Sequence, residues 1–181
     1  MSFHLYTLNE LYSNADGSVQ FIELFVGSSG VAEGFWQGIS ITATSSQGGA
    51  THSYTFPSNL PNPTATANHS VLIATQGFAN LGLVIPDFLV PAGFLYANGG
   101  TVNFAGVNSI TYTSLPTDGT HSINASKVVI NNSPTNFAGS TGAITAVNHA
   151  PTRANPRADR STAEDAVVAA AAEERIVAQI A

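Results

Sequence analysis

Between Leu8 and Phe25 the chain reads LNELYSNADGSVQFIELF. Runs rich in Leu, Tyr, Val, Ile and Phe flank a polar stretch, Asn14-Ala15-Asp16-Gly17. Asp-Gly supplies the positive φ angles of a tight turn, so the stretch predicts two antiparallel strands. With Asn14–Gly17 as the loop, Ser13 opposes Ser18, Tyr12 opposes Val19, Glu10 opposes Phe21 and Glu23 opposes Leu8. The loop has a second reading. Asn14, Asp16 and Ser18 alternate as oxygen ligands do in a calcium loop. Calcium needs about six to eight oxygens, commonly from several carboxylates, and ends its loop on a Glu. Here Asp16 is the one carboxylate of the loop and no Glu closes it at that spacing. The hairpin turn is the preferred reading. Asn14, Asp16 and Ser18 stand as calcium candidates, with calcium the one cofactor considered.

Outward from this hairpin, short apolar segments recur between turn signals. Strands are predicted over Phe3–Tyr12, Val19–Val26, Phe35–Ala43, Thr51–Phe56, Ser70–Ala74, Phe88–Val90, Thr101–Phe104, Ser109–Thr113 and Lys127–Ile130. In GISITAT, Ile39 and Ile41 share a face; in SITYT, Ile110 and Tyr112 do. NADG, SQGG, PSNLPNP, ANGG and PTDG punctuate the runs. Many short strands without a long helix predict an all-β fold, an immunoglobulin-like β-sandwich of about 8–10 short strands with a C-terminal helical tail. The sandwich takes residues 1–133. Residues 134–160 read as loop or linker. Residues 161–181 read as a helix opened by the capping pair Ser161 and Glu164, with Val168, Ala172, Ile176 and Ile180 along one side.

Charge is placed unevenly over the 181 residues, whose formal net charge is -6. Before Pro151 the one basic residue is Lys127, against Glu10, Asp16, Glu23, Glu33, Asp87 and Asp118. Nucleic-acid binding needs clustered Lys and Arg, so it is not expected. The surface of this region is kept wet by Ser, Thr, Asn and Gly, and only 9% of the chain is charged, against about a quarter in ordinary domains. Such a skin offers little repulsion between copies. The chain has no cysteine, so no disulfide staples it. No apolar run is long enough to span a membrane. The N-terminus lacks the basic and apolar regions of a Sec signal.

The order of these segments resembles the lamin-tail-like domain, an immunoglobulin-like β-sandwich of nuclear lamins and many bacterial secreted proteins. The resemblance runs through LNELYSNADGSVQFIELF, GFWQGISIT, HSYTFPSNL, SVLIAT and GGTVNFAGVNSITYT, about residues 5–130. The chain departs from the pattern at Gly77–Pro91 and after Ile130. NSPTNFAGSTG is similar to segments of bacterial proteins in which this domain stands near the N-terminus without a Sec signal. The resemblance implies a non-catalytic scaffold or adhesion module and carries no catalytic residues. It also implies an extracellular or cell-surface location with type I-like export.

The remaining chemistry is sparse. Glu10 and Glu23, diagonal in the predicted register, would form an acid–base pair if buried; carboxylates that point to solvent or bond backbone at strand ends are the preferred reading. His4, His52, His69, His121 and His149 lack the close spacing of zinc ligands. Asp118, His121 and Ser122 lie too close in sequence for an ordinary triad. Trp36, Phe35, Tyr54, Phe56, Phe78, Phe88, Phe94 and Tyr96 suffice for a core. The expected function is a non-catalytic, self-assembling or adhesive extracellular subunit, a homo-oligomer or surface binder through its strand edges and C-terminal helix. The alternative is a calcium- or glycan-binding accessory module of a larger secreted effector.

Overall fold

The structure, a computed structural model, describes residues 3–146. The predicted helix over 161–181 and the linker from 147 lie outside the described residues. Among the described residues ten strands occur: β1 (Thr7–Ser13), β2 (Gln20–Phe25), β3 (Ser40–Ser45), β4 (Thr51–Thr55), β5 (Ser70–Thr75), β6 (Phe88–Val90), β7 (Gly100–Phe104), β8 (Asn108–Tyr112), β9 (His121–Asn124) and β10 (Val129–Asn131). The described helix, α1 (Gln76–Ala79), is one turn long. The fold is all-β. A six-stranded sheet runs β10-β9-β1-β2-β5-β6 and a four-stranded sheet runs β4-β3-β7-β8. All pairings are antiparallel except β5 with β6.

Alternation explains how the two sheets meet. Ile22 and Leu24 on β2, Val71 and Ile73 on β5, Ile41 and Ala43 on β3, and Val102 and Phe104 on β7 all enter one apolar core. Trp36 stands at its centre, fully buried. Its ring lies 4.9 Å from Tyr6, 4.8 Å from Phe56 and 4.7 Å from Phe104, and stacks on Phe88 at 6.0 Å. The indole N–H donates to Glu33 O at 2.9 Å, which satisfies the ring's one polar atom. Trp36 precedes β3 rather than lying within it. Gly38 takes φ +82° between them, so the predicted strand over Phe35–Ala43 starts only at Ser40.

The first hairpin forms, in a different register. Its loop closes between Asn14 N–H and Val19 O, so Ser13 opposes Gln20 and Tyr12 opposes Phe21. That register places Glu10 directly opposite Glu23, and a bulge at Asn9 beyond it shifts the pairing to Leu8 with Leu24 and Thr7 with Phe25. A four-residue loop was the wrong length because Asn14 folds back: its Oδ1 accepts Val19 N–H at 3.0 Å.

The six-stranded sheet has a second apolar face. Tyr12, Phe21, Leu72, Ala74, Phe78, Val84, Ile144 and Ala146 cluster there, away from the four-stranded sheet. Two pieces of chain cover it. One is the crossover between β5 and β6, which parallel pairing requires; it carries α1 and runs from Gln76 to Asp87. The other is the segment from Asn132 to Ala146, which remains packed where the sequence predicted loop. Strand β9 went unpredicted because Ile123 is its one large apolar side chain. Truncating Trp36→Ala should cost about 3–5 kcal/mol, the range for large aromatic-to-alanine changes in a core. Urea denaturation measures it, and a loss below about 1 kcal/mol would show that the ring does not anchor this core.

Candidate functional site

The segment 132–146 crosses the sheet as a strap, and its backbone determines what lies beneath it. Strand ladders already use the backbone groups of β1, β2 and β5. An extended chain laid over them must find other acceptors for its buried N–H groups. Three carboxylates supply them at every second residue. Ser133 N–H donates to Glu10 Oε1 at 3.0 Å, Thr135 N–H to Glu23 Oε2 at 2.8 Å, and Phe137 N–H to Asp87 Oδ2 at 2.9 Å. Each carboxylate is held in turn. Ser122 Oγ donates to Glu10 at 2.6 Å, and Ser70 Oγ and Asn9 Nδ2 donate to Glu23 at 2.8 and 3.0 Å. Leu72 N–H donates to Asp87 at 2.8 Å.

Two asparagines shape the strap itself. Asn132 Oδ1 accepts Ile144 N–H at 2.7 Å, and its Nδ2 donates to Ile144 O at 2.8 Å and to Thr120 O. Asn136 Oδ1 accepts Ser140 N–H at 2.9 Å while Nδ2 reaches Ile85 O at 2.9 Å. Thr135 and Thr141 form a bridge between the strap's two arms. Phe137 stacks on His69 at 4.6 Å.

Glu10 and Glu23 are thus brought together and buried, and their partners are backbone amides, hydroxyls and the Asn9 side-chain amide. Burial pushes the pKa of Glu10, Glu23 and Asp87 upward, and their hydrogen bonds pull only partly against it. Asp118 behaves oppositely. The backbone N–H groups of Thr120 and His121 hold its carboxyl far below the usual carboxylate range. His121 Nδ1 pairs with Asp118 Oδ2, while the neighbouring Ser122 turns to Glu10. The three residues therefore serve two different faces of β9.

The calcium candidates sit in the first hairpin loop. Asn14 Nδ2 donates to Ser18 Oγ at 3.1 Å, Asn14 Oδ1 takes Val19 N–H, and Asp16 Oδ1 takes Ser18 N–H at 2.9 Å. Their oxygens serve the loop's own amides. Among the described residues, no three His, Asp or Glu side chains gather as a metal-binding group. His149 lies outside the described residues. His4 stacks on Phe3 at 4.4 Å.

His52 marks a separate feature on the edge strand β4. Its ring stacks on Tyr96 at 4.7 Å and 11°. Phe94 O can only accept, so His52 Nδ1 donates to it at 3.0 Å, and in the neutral ring Nε2 accepts the Tyr96 hydroxyl at 3.1 Å. Beside it, Thr51, Ser53, Pro91, Ala92 and Phe94 complete an open pocket of about 290 Å³. Its partner aromatic lies 44 residues away, so no local pattern in the sequence joins the two.

No family model, curated protein or solved structure matches this chain.

The carboxylates give a pH signature. The folded chain keeps protons on Glu10, Glu23 and Asp87 above ~4, where the unfolded chain has released them. It therefore binds more protons in that window, and their contribution to stability falls as pH rises through it. Asp118 contributes stability above its ordinary value and loses it as pH falls below ~4. Urea midpoints should peak in the mildly acidic range, and Glu23→Gln should flatten the limb above it. A profile rising steadily to pH 8 would contradict this. Asn132→Ala leaves both backbone groups of Ile144 without their partner and should cost about 1–3 kcal/mol by the same assay.

Proposed function

We propose that this chain is a non-catalytic structural subunit, a lamin-tail-like, immunoglobulin-like β-sandwich working outside the cell, that associates with copies of itself or with a surface through its strand edges. One observation carries this reading: both outer edges of the six-stranded sheet expose aliphatic side chains. At one end stand β6 and the chain before it, with Leu83, Ile85 and Leu89 exposed, Ile85 at 78%. At the other end stands β10, with Val128 and Val129 exposed at 56% and 58%. Edges that must stay single are ordinarily blunted by charge, proline or a bulge. Lys127 brings a basic charge near the β10 edge, Pro86 and Pro91 flank β6, and both strands are three residues long, so what these edges offer a neighbour is exposed aliphatic side chains rather than a long open ladder. The edges of the four-stranded sheet differ: β4 presents Thr51, His52, Ser53 and Thr55. The lamin-tail-like resemblance and the hydroxyl-rich skin support the same reading.

A ligand-binding module is the second reading, favoured by the His52–Tyr96 stack and its pocket. That pocket is uncharged and lined by two hydroxyls and an imidazole, which suits a sugar ring rather than an ion. Calorimetry with calcium and a glycan array examine this alternative, and flat responses to both would remove it.

Self-association is tested by light scattering over a wide concentration range and by electron microscopy of the native preparation. Mass should rise with concentration, and Leu89→Lys or Val129→Lys should suppress the rise by placing a charge on an edge. A monomer at every concentration would sink the proposal.

A further inference from the structure

The strap is built as a part that docks. It forms no ladder with the sheet beneath it, and its shape comes from bonds within itself: Asn132 to Ile144, Asn136 to Ser140, Thr135 to Thr141. Its attachment is three amides on three carboxylates, together with bonds from Asn132 to Thr120 O, Ala146 N–H to Gly119 O and Asn136 Nδ2 to Ile85 O, a pattern that any copy of residues 132–146 would satisfy equally. Its neighbour in sequence, β10, is a three-residue edge strand paired with β9 alone. What joins this unit to the body is the β9–β10 turn. There Lys127 sits at φ +65°, a left-handed conformation that costs a residue with a Cβ. Lys127 N–H donates to Asn124 O at 2.8 Å, and Asn124 Oδ1 takes the amides of Ser126 and Val128. Straightening the turn would release that conformation, while every bond of β10 and the strap could re-form on another molecule.

We propose that β10 and the strap, residues 129–146, exchange between two copies of this chain, with the β9–β10 turn as the hinge. The exchange rests on the self-association proposed above. The acceptor is the outer face of the second copy: its β9 for pairing, Glu10, Glu23 and Asp87 for the amides, and the apolar cluster around Phe21 for Ile144. An empty acceptor would leave that cluster and three carboxylates uncovered, so a released strap is replaced by its own kind. Reciprocal exchange closes a two-fold dimer.

The test uses the full chain. Isotopically light and heavy chains carrying Phe137→p-benzoylphenylalanine are unfolded together, refolded at high concentration, separated by size and irradiated. Residue 137 packs on His69, so its cross-link reports whose sheet the strap occupies. Exchange predicts light–heavy linked peptides in the dimer and none in the monomer. A dimer with same-isotope links only would overturn exchange and leave self-association standing; no dimer at any concentration would overturn both. The unlabelled chain gives a second measure. Lys127→Gly removes the cost of the closed turn at both hinges of a dimer and should weaken the dimerisation constant by about 30-fold or more, read as a fall in dimer fraction. An unchanged fraction would overturn the hinge.

Discussion

Buried backbone amides that cannot join a ladder decide how this molecule is put together. A six-stranded sheet with apolar residues on both faces needs two covers. The four-stranded sheet supplies one, with its own ladder complete. The other is an irregular strap, whose amides need acceptors standing up from the sheet. Glu10, Glu23 and Asp87 are those acceptors. Their burial is costly in isolation, and the amides and hydroxyls around them offset that cost. Gln20 solves the same problem elsewhere: buried, it takes Leu95 N–H on Oε1 and gives Nε2 to Leu95 O.

This arrangement changes what the acids signify. Two facing glutamates under a cover resemble an active-site pair when seen as side chains alone. Their ligands are amides and hydroxyls of the chain itself, and the strap that buries them is also what they hold. His121 with Asp118 is a close ionisable pair of another kind, exposed and fastening a turn. The surface left over is sparing in charge, with Asp16, Asp118 and Lys127 exposed, and apolar at the two ends of one sheet.

Much of the fold was legible locally. Ile39, Ile41, Ile110 and Tyr112 announced strands by period two, and the Gly- and Asn-rich joints fell where turns occur. Failures came where a side chain replaced the backbone as partner. Asn14 lengthened the first loop, which moved Glu10 from Phe21 to Glu23, and Asn9 bulged out of β1 beyond it. NSPTNFAGSTG carried every mark of a loop, and nothing in its composition shows that Ser133, Thr135 and Phe137 would meet three acids. Only Phe137 and Ile144 hinted at burial there. The His52–Tyr96 contact joins distant segments and has no local signal at all.

The sequence by itself determined the all-β class, most strand positions, the scarcity of charge and the lack of disulfides, because each follows from residue type and from neighbours a few positions apart. Tertiary structure alone decided the register of the first hairpin, the second buried face, the strap across it and the meaning of its three acids. Those depend on which amides are left unpaired once the ladders are complete, and that is a property of the assembled sheets rather than of any one segment.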